Sequence, residues 1–70
     1  MANSYGELTD QAMADCEAGR FAEAETKLME VLKVEKSMGM PLGSSKAAYW
    51  WLVAKHKGDK QKAMAEWVKL

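Results

Sequence analysis

The sequence has few of the residues that usually hold very small proteins together. It contains one cysteine (Cys16), one proline (Pro41) and one histidine (His56) among its 70 residues. A single cysteine excludes an internal disulfide, and one cysteine with one histidine cannot supply the four ligands of a structural zinc site. A chain of this length buries only about 60% of the surface that its unfolded form exposes. We therefore expect its stability to depend on close helix packing or on a partner chain, with no metal or cofactor.

Long apolar segments are also missing. The longest segments without a charged residue are SMGMPLGSS and AAYWWLVA, which are far shorter than the roughly 18 apolar residues of a transmembrane helix. The first ten residues, MANSYGELTD, lack the basic and apolar regions of a signal peptide. We therefore expect no membrane partner and a cytoplasmic location, where a cysteine stays reduced.

Charge is balanced overall but unevenly distributed. Residues 1–35 carry eight acidic and three basic side chains, whereas residues 36–70 carry two acidic and seven basic ones. Such asymmetry indicates either that the two halves attract each other, within one chain or between two copies, or that the basic half binds nucleic acid. We rank mutual attraction first.

Residue composition and spacing favour helices throughout. Ser4 and Glu7 fit a capping box at the start of a first helix, and Gly19 is a suitable residue to end it. An apolar stripe at three- and four-residue spacing predicts a second helix over about residues 21–38, which the following glycine and proline stop.

A third and a fourth helix are expected in the second half. The third should begin near residues 43–45 and run to about Lys57, where Gly58 ends it. Asp59 is a good N-cap for the fourth. No segment shows the alternation typical of a strand, so we predict an all-α protein of four helices, arranged as two antiparallel helix-turn-helix hairpins.

The third helix has an unusual distribution of bulky residues. Four of them are adjacent in the sequence: Tyr49, Trp50, Trp51 and Leu52. Because successive positions on a helix are about 100° apart, four in a row cover its whole circumference. We therefore expect this helix to be covered on several sides, by its neighbours or by another chain.

The two halves align as a weak internal repeat. Placing Gly19 on Gly58 pairs further residues at equal distances from each glycine. The pairs are Ala24 with Ala63, Leu28 with Trp67, and Val31 with Leu70. A glycine turn, a small residue that lets two helices approach and a large residue beside it form a helical hairpin.

These residues resemble the tetratricopeptide repeat family. The segment AGRFAEAETKLMEVL matches that family's pattern at Gly19, Phe21, Ala24 and Leu28. The resemblance implies two stacked hairpins in one domain, with repeat one over about residues 4–38 and repeat two over about 43–70, in right-handed stacking. The spacing of 39 residues between the glycines exceeds the family's usual 34, and Trp51 occupies a position that the family keeps small.

No arrangement of residues indicates catalysis. His56 lies in the last turn of the predicted third helix beside lysines, and we expect a solvated side chain there, because a cation is favoured near the helix end. Cys16 falls on the apolar stripe of the first helix and is expected in the core. We therefore expect no enzymatic activity.

The resemblance implies a protein-interaction module that binds a protein or peptide partner. The candidate contact residues are Tyr49, Trp50, Lys55, Lys57, Lys60, Trp67 and Leu70. One alternative is a small nucleic-acid-binding protein that uses the basic turn, residues 55–62. The other is a structural subunit that self-associates, with acidic and basic halves facing each other in an antiparallel homodimer.

Overall fold

Four α-helices and one 3-10 turn form the computed structural model, which describes residues 5–70. The helices are α1 (Tyr5–Glu17), α2 (Phe21–Ser37), α3 (Lys46–Lys55) and α4 (Lys60–Trp67), and the 3-10 turn (Leu42–Ser44) lies between α2 and α3. No strand is present within these residues. The predicted all-α fold of four helices is therefore confirmed. The capping box predicted at Ser4 lies outside the described residues.

Glycines end the helices where the sequence predicted. Gly19 and Gly58 have φ values of +83° and +93°, in the region that side chains disfavour. At Gly58 a Cβ atom would also lie 3.2 Å from Cζ of Phe21. Helix α3 ends at Lys55, slightly earlier than predicted, because Lys57 itself takes a left-handed conformation with φ +53°.

Small residues bring the helices together. Ala12, Ala24 and Ala63 are completely buried, so backbones approach closely at these positions. Each helix packs against the next in the chain, and α1 also contacts α3. The core lies between them, with Leu28 and Val53 among its fully buried side chains. The Cα atoms occupy a flat volume of 32 × 27 × 13 Å.

Helix α3 is covered on several sides, as its sequence predicted. It contacts all three other helices. Leu52, Val53 and its alanines are buried, whereas the rings of its three aromatic residues are partly buried against the core.

The internal repeat is only partly reflected in residue environments. Gly19 and Gly58 share a conformation, and Ala24 and Ala63 share complete burial. Val31, however, is 3% exposed and its counterpart Leu70 is 59% exposed. The difference arises because Val31 lies in the middle of the 17-residue α2, whereas the eight-residue α4 ends before Leu70.

Ser45 connects α2 to α3. Its buried hydroxyl donates to Oε1 of Glu35 and accepts a hydrogen bond from the backbone N–H of Ala48 at 3.1 Å. Ser45 therefore caps α3 and links its first turn to α2.

Replacing Ser45 with alanine should destabilise the protein. Loss of an N-cap hydroxyl costs about 0.5–2 kcal/mol, so the urea midpoint of Ser45→Ala should fall below that of the wild type. Ser44→Ala is the matched control, because Ser44 is exposed and does not cap a helix. Equal midpoints for the two variants would contradict the capping role.

Asp15 connects α1 to α2. Its nearly buried carboxylate accepts a hydrogen bond from Nζ of Lys27 at 2.6 Å and pairs with the guanidinium of Arg20 at 3.0 Å. The hydrogen bond from Lys27 is the main reason that the pKa of Asp15 lies below its ordinary value of 3.8, and the Arg20 hydrogen bond lowers it further against the opposing effect of burial.

The contribution of Asp15 to stability should disappear in acid. Because its pKa is lower in the folded than in the unfolded chain, the stabilisation is complete above the unfolded pKa and is lost as pH falls through the folded one. Asp15→Asn should therefore destabilise the protein at about pH 7, and the difference from wild type should narrow at about pH 3.

Urea unfolding at both pH values measures this difference. Asp10→Asn serves as control, since Asp10 lies on an exposed part of the same helix. A difference between wild type and Asp15→Asn that does not change with pH would exclude the charged pairing as the cause.

Candidate binding groove

An apolar groove runs between α2, the linker that follows it and α3. Its volume is about 400 Å³. The lining residues are Met29, Leu32, Lys33 and Lys36 of α2, Met40 and Leu42 of the linker, and Trp51 of α3. We call it the α2–α3 groove.

Helix α2 builds one wall through its residue spacing. Met29, Leu32, Lys33 and Lys36 stand at intervals of three and four residues, which places them on one face of the helix. A different face carries the buried residues Ala24, Leu28 and Val31. Helix α2 therefore uses one apolar face for the core and a second for the groove.

Two hydrogen bonds, one from a backbone N–H and one from a side chain, attach the linker wall to the helices. The N–H of Met40 donates to the carbonyl of Glu35 at 3.0 Å, and Nε1 of Trp67 donates to the carbonyl of Leu42 at 3.0 Å. Gly43 packs against the backbone of Leu70, so closely that a Cβ atom would lie 3.1 Å from the Leu70 carbonyl carbon. The end of the chain beyond α4 thus supports the linker.

Trp51 forms the opposite wall. Nζ of Lys55 lies 4.8 Å from the centroid of the Trp51 ring, within the range of a cation–π interaction. The indole Nε1 is buried and has no hydrogen-bond partner among residues 5–70. A buried donor without an acceptor is unusual in a folded protein.

The polar groups of the groove side chains are all hydrogen-bond donors. Lysine ammonium and indole N–H groups donate and do not accept. Lys33 and Lys36 are exposed, and neither forms an ion pair within the part of the chain that the structure describes. The groove therefore combines apolar walls with unpaired positive charge.

The aromatic residues predicted as contacts form a separate cluster. The Tyr49 and Trp50 rings meet edge to face with centroids 5.4 Å apart, and the Tyr49 and Trp67 rings do so at 5.5 Å. Nζ of Lys60 lies 5.4 Å from the Trp50 ring and 3.3 Å from Oε2 of Glu17. The structure thus brings four of the predicted residues together, but their rings are partly buried against the core.

The other predicted residues lie apart from this cluster. Lys55 is beside Trp51 at the groove, and the exposed Lys57 lies in the turn after α3. Leu70 is exposed and contacts the linker at Gly43. The structure therefore does not bring all of the candidate residues together in one continuous patch.

None of the groove-lining residues was among the sequence candidates. Leu32 packs against the core with part of its side chain and also lines the groove. The available signal was the four-residue pattern Met29, Leu32, Lys33 and Lys36. This pattern does not by itself predict a groove, because a helix face with one methionine, one leucine and two lysines is also typical of an ordinary exposed surface.

His56 has a partner that its sequence position did not reveal. Its Nε2 contacts Oε1 of Glu66, so the residue after α3 is linked to α4. This hydrogen bond is the main reason that the pKa of Glu66 is lowered from its ordinary value of 4.5. The interpretation of His56 as a solvated side chain is therefore corrected.

Comparisons with protein-family models, with curated protein sequences and with solved structures each return no match for this chain. Within residues 5–70, no helix combines the length and apolar character that crossing a bilayer requires.

The basic turn should not retain nucleic acid at physiological salt. Lys60 already pairs with Glu17, and the turn is short, so it offers few unpaired cations to replace counterions. A fluorescence anisotropy titration with labelled duplex and single-stranded oligonucleotides checks this. A salt-dependent dissociation constant below about 1 μM would contradict it, because non-specific binding alone gives about 10⁻⁴–10⁻⁶ M.

Proposed function

We propose that this protein is a non-catalytic interaction module that holds a segment of a partner protein in the α2–α3 groove. The observation that carries this proposal is the groove itself, an apolar channel of about 400 Å³ with two unpaired lysines along one wall.

Exposure of large apolar side chains in the groove supports the proposal. Met29 is 56% exposed, Met40 39% and Leu42 40%. Covering apolar surface contributes about 25 cal/mol per Å², and contiguous exposed apolar patches commonly mark interaction sites. Methionine adds adaptability, because its unbranched side chain can follow the shape of different partners.

The tetratricopeptide-like architecture remains a proposal as well. The shared conformation of Gly19 and Gly58 and the complete burial of Ala24 and Ala63 support it. In that architecture, stacked hairpins create concave surfaces that bind partner proteins. The α2–α3 groove lies where the two proposed hairpins meet.

Acidic substitutions in the groove should weaken partner binding. A partner is first identified by cross-linking and mass spectrometry, then purified and titrated calorimetrically with this protein. Met29→Asp combined with Leu42→Asp should weaken binding about tenfold or more, since each change places a charge in an apolar contact.

Met64→Asp combined with Val68→Asp is the matched control. Both residues are exposed and apolar but lie outside the groove. Circular dichroism verifies that both double variants are folded. The groove would be refuted as the binding site if the partner binds the groove variant as tightly as the wild type. It would also be refuted if only the control variant loses affinity for the partner.

A further inference from the structure

We propose that the segment held in the α2–α3 groove is an acidic amphipathic α-helix of another protein. This inference rests on the proposed function and specifies the chemical class of the partner. Three features of the groove support it: the sign of its charge, the absence of acceptors among its side chains and its length.

The charge at the groove is positive. Lys33 and Lys36 line it, and Lys55 lies against Trp51 in the facing wall. Neither Glu30 nor Glu35 lines the groove, and the carboxylate of Glu35 is held by the Ser45 hydroxyl. A partner with carboxylates beside its apolar residues is therefore complementary, and a basic partner would be repelled.

The hydrogen-bonding groups favour a helix over an extended chain. An extended peptide in this groove would need acceptors for its backbone N–H groups, whereas the exposed polar groups of the lining side chains are the ammonium donors of Lys33 and Lys36. A helix satisfies its own backbone and presents only side chains. Carboxylates among those side chains accept hydrogen bonds from the two lysines.

The length of the wall agrees with a short helical contact. Met29 and Lys36 are seven residues apart on α2, which corresponds to about 10 Å, or two helical turns. A docked helix would bury apolar residues at positions i, i+3 or i+4, and i+7, with carboxylates flanking them.

A second copy of this chain fits the groove less well. Among residues 5–70, its large apolar side chains exposed outside the groove are Met38, Met64, Val68 and Leu70. Met38 is a single side chain at the C-cap of α2, and the other three belong to residues 60–70, which carry three lysines and in which Glu66 is engaged by His56. Repulsion between these lysines and those of the groove opposes self-docking, so the proposed occupant is a different protein.

Designed peptides test the inference directly. The first is an amphipathic helix of about 18 residues, long enough to populate helix in water, with leucines at i, i+3, i+4 and i+7 and glutamates beside them. The second replaces every glutamate with lysine, and the third carries a proline at its centre. Fluorescence anisotropy at about 50 mM salt limits screening of the charges.

The acidic peptide should bind at least about fivefold more tightly than its lysine counterpart, and the proline peptide about tenfold more weakly than the acidic one. Lys33→Glu combined with Lys36→Glu should reverse the preference between acidic and basic peptides. Lys62→Glu combined with Lys69→Glu, exposed positions outside the groove, should leave the preference unchanged.

Nuclear magnetic resonance separates failure of this inference from failure of the proposed function. The indole N–H signal of Trp51, assigned with Trp51→Phe, should shift on addition of the acidic peptide. Equal binding of both peptides at the groove, or unimpaired binding of the proline peptide, would overturn the acidic-helix inference alone. The proposed function would be overturned as well if two results are found together. No peptide binds, and the double substitution Met29→Asp with Leu42→Asp leaves the affinity of the identified partner unchanged.

Light scattering of the wild-type protein at about 100 μM and tenfold lower completes the test. A monomer at both concentrations is expected. A concentration-dependent dimer that Lys33→Glu with Lys36→Glu disrupts would mean that a second copy occupies the groove, and it would overturn the inference.

Discussion

The packing of α2 against both α1 and α3 is the interaction on which the rest of the structure depends. Ala24, Leu28 and Val31 are buried there. No further helix within residues 5–70 covers the second apolar face of α2, which carries Met29 and Leu32. The core and the groove are thus two consequences of one arrangement: burying one face of α2 leaves the other beside Trp51 and open to solvent.

Polar links support this packing where each helix meets the next. Asp15 with Lys27 connects α1 to α2, Glu35 with Ser45 connects α2 to α3, and His56 with Glu66 connects the end of α3 to α4. Each link fixes the relative position of two helices that a short loop alone would leave less restrained. In a protein without disulfides, such contacts complement a core built largely from alanine.

The uneven distribution of charge contributes little to direct pairing between the two halves. Among the ion pairs within residues 5–70, only Lys60 with Glu17 joins a residue before position 36 to one after it. Most charges therefore remain on the surface, where they influence which partners approach more than they stabilise the fold. The lysines of the α2–α3 groove belong to this surface charge.

The sequence by itself determined the helices, because their signals are local. Gly19, Gly58 and Asp59 act through their own backbone conformation or the adjacent turn. The coverage of α3 was also predictable, since four adjacent bulky residues leave no polar face. Only the tertiary structure decided how far each apolar residue is buried: Val31 and Leu32 are neighbours in sequence, yet Val31 is buried, whereas Leu32 is partly buried against the core and also lines the groove. That difference depends on where α3 and the linker lie against α2, a long-range arrangement that helical periodicity does not encode.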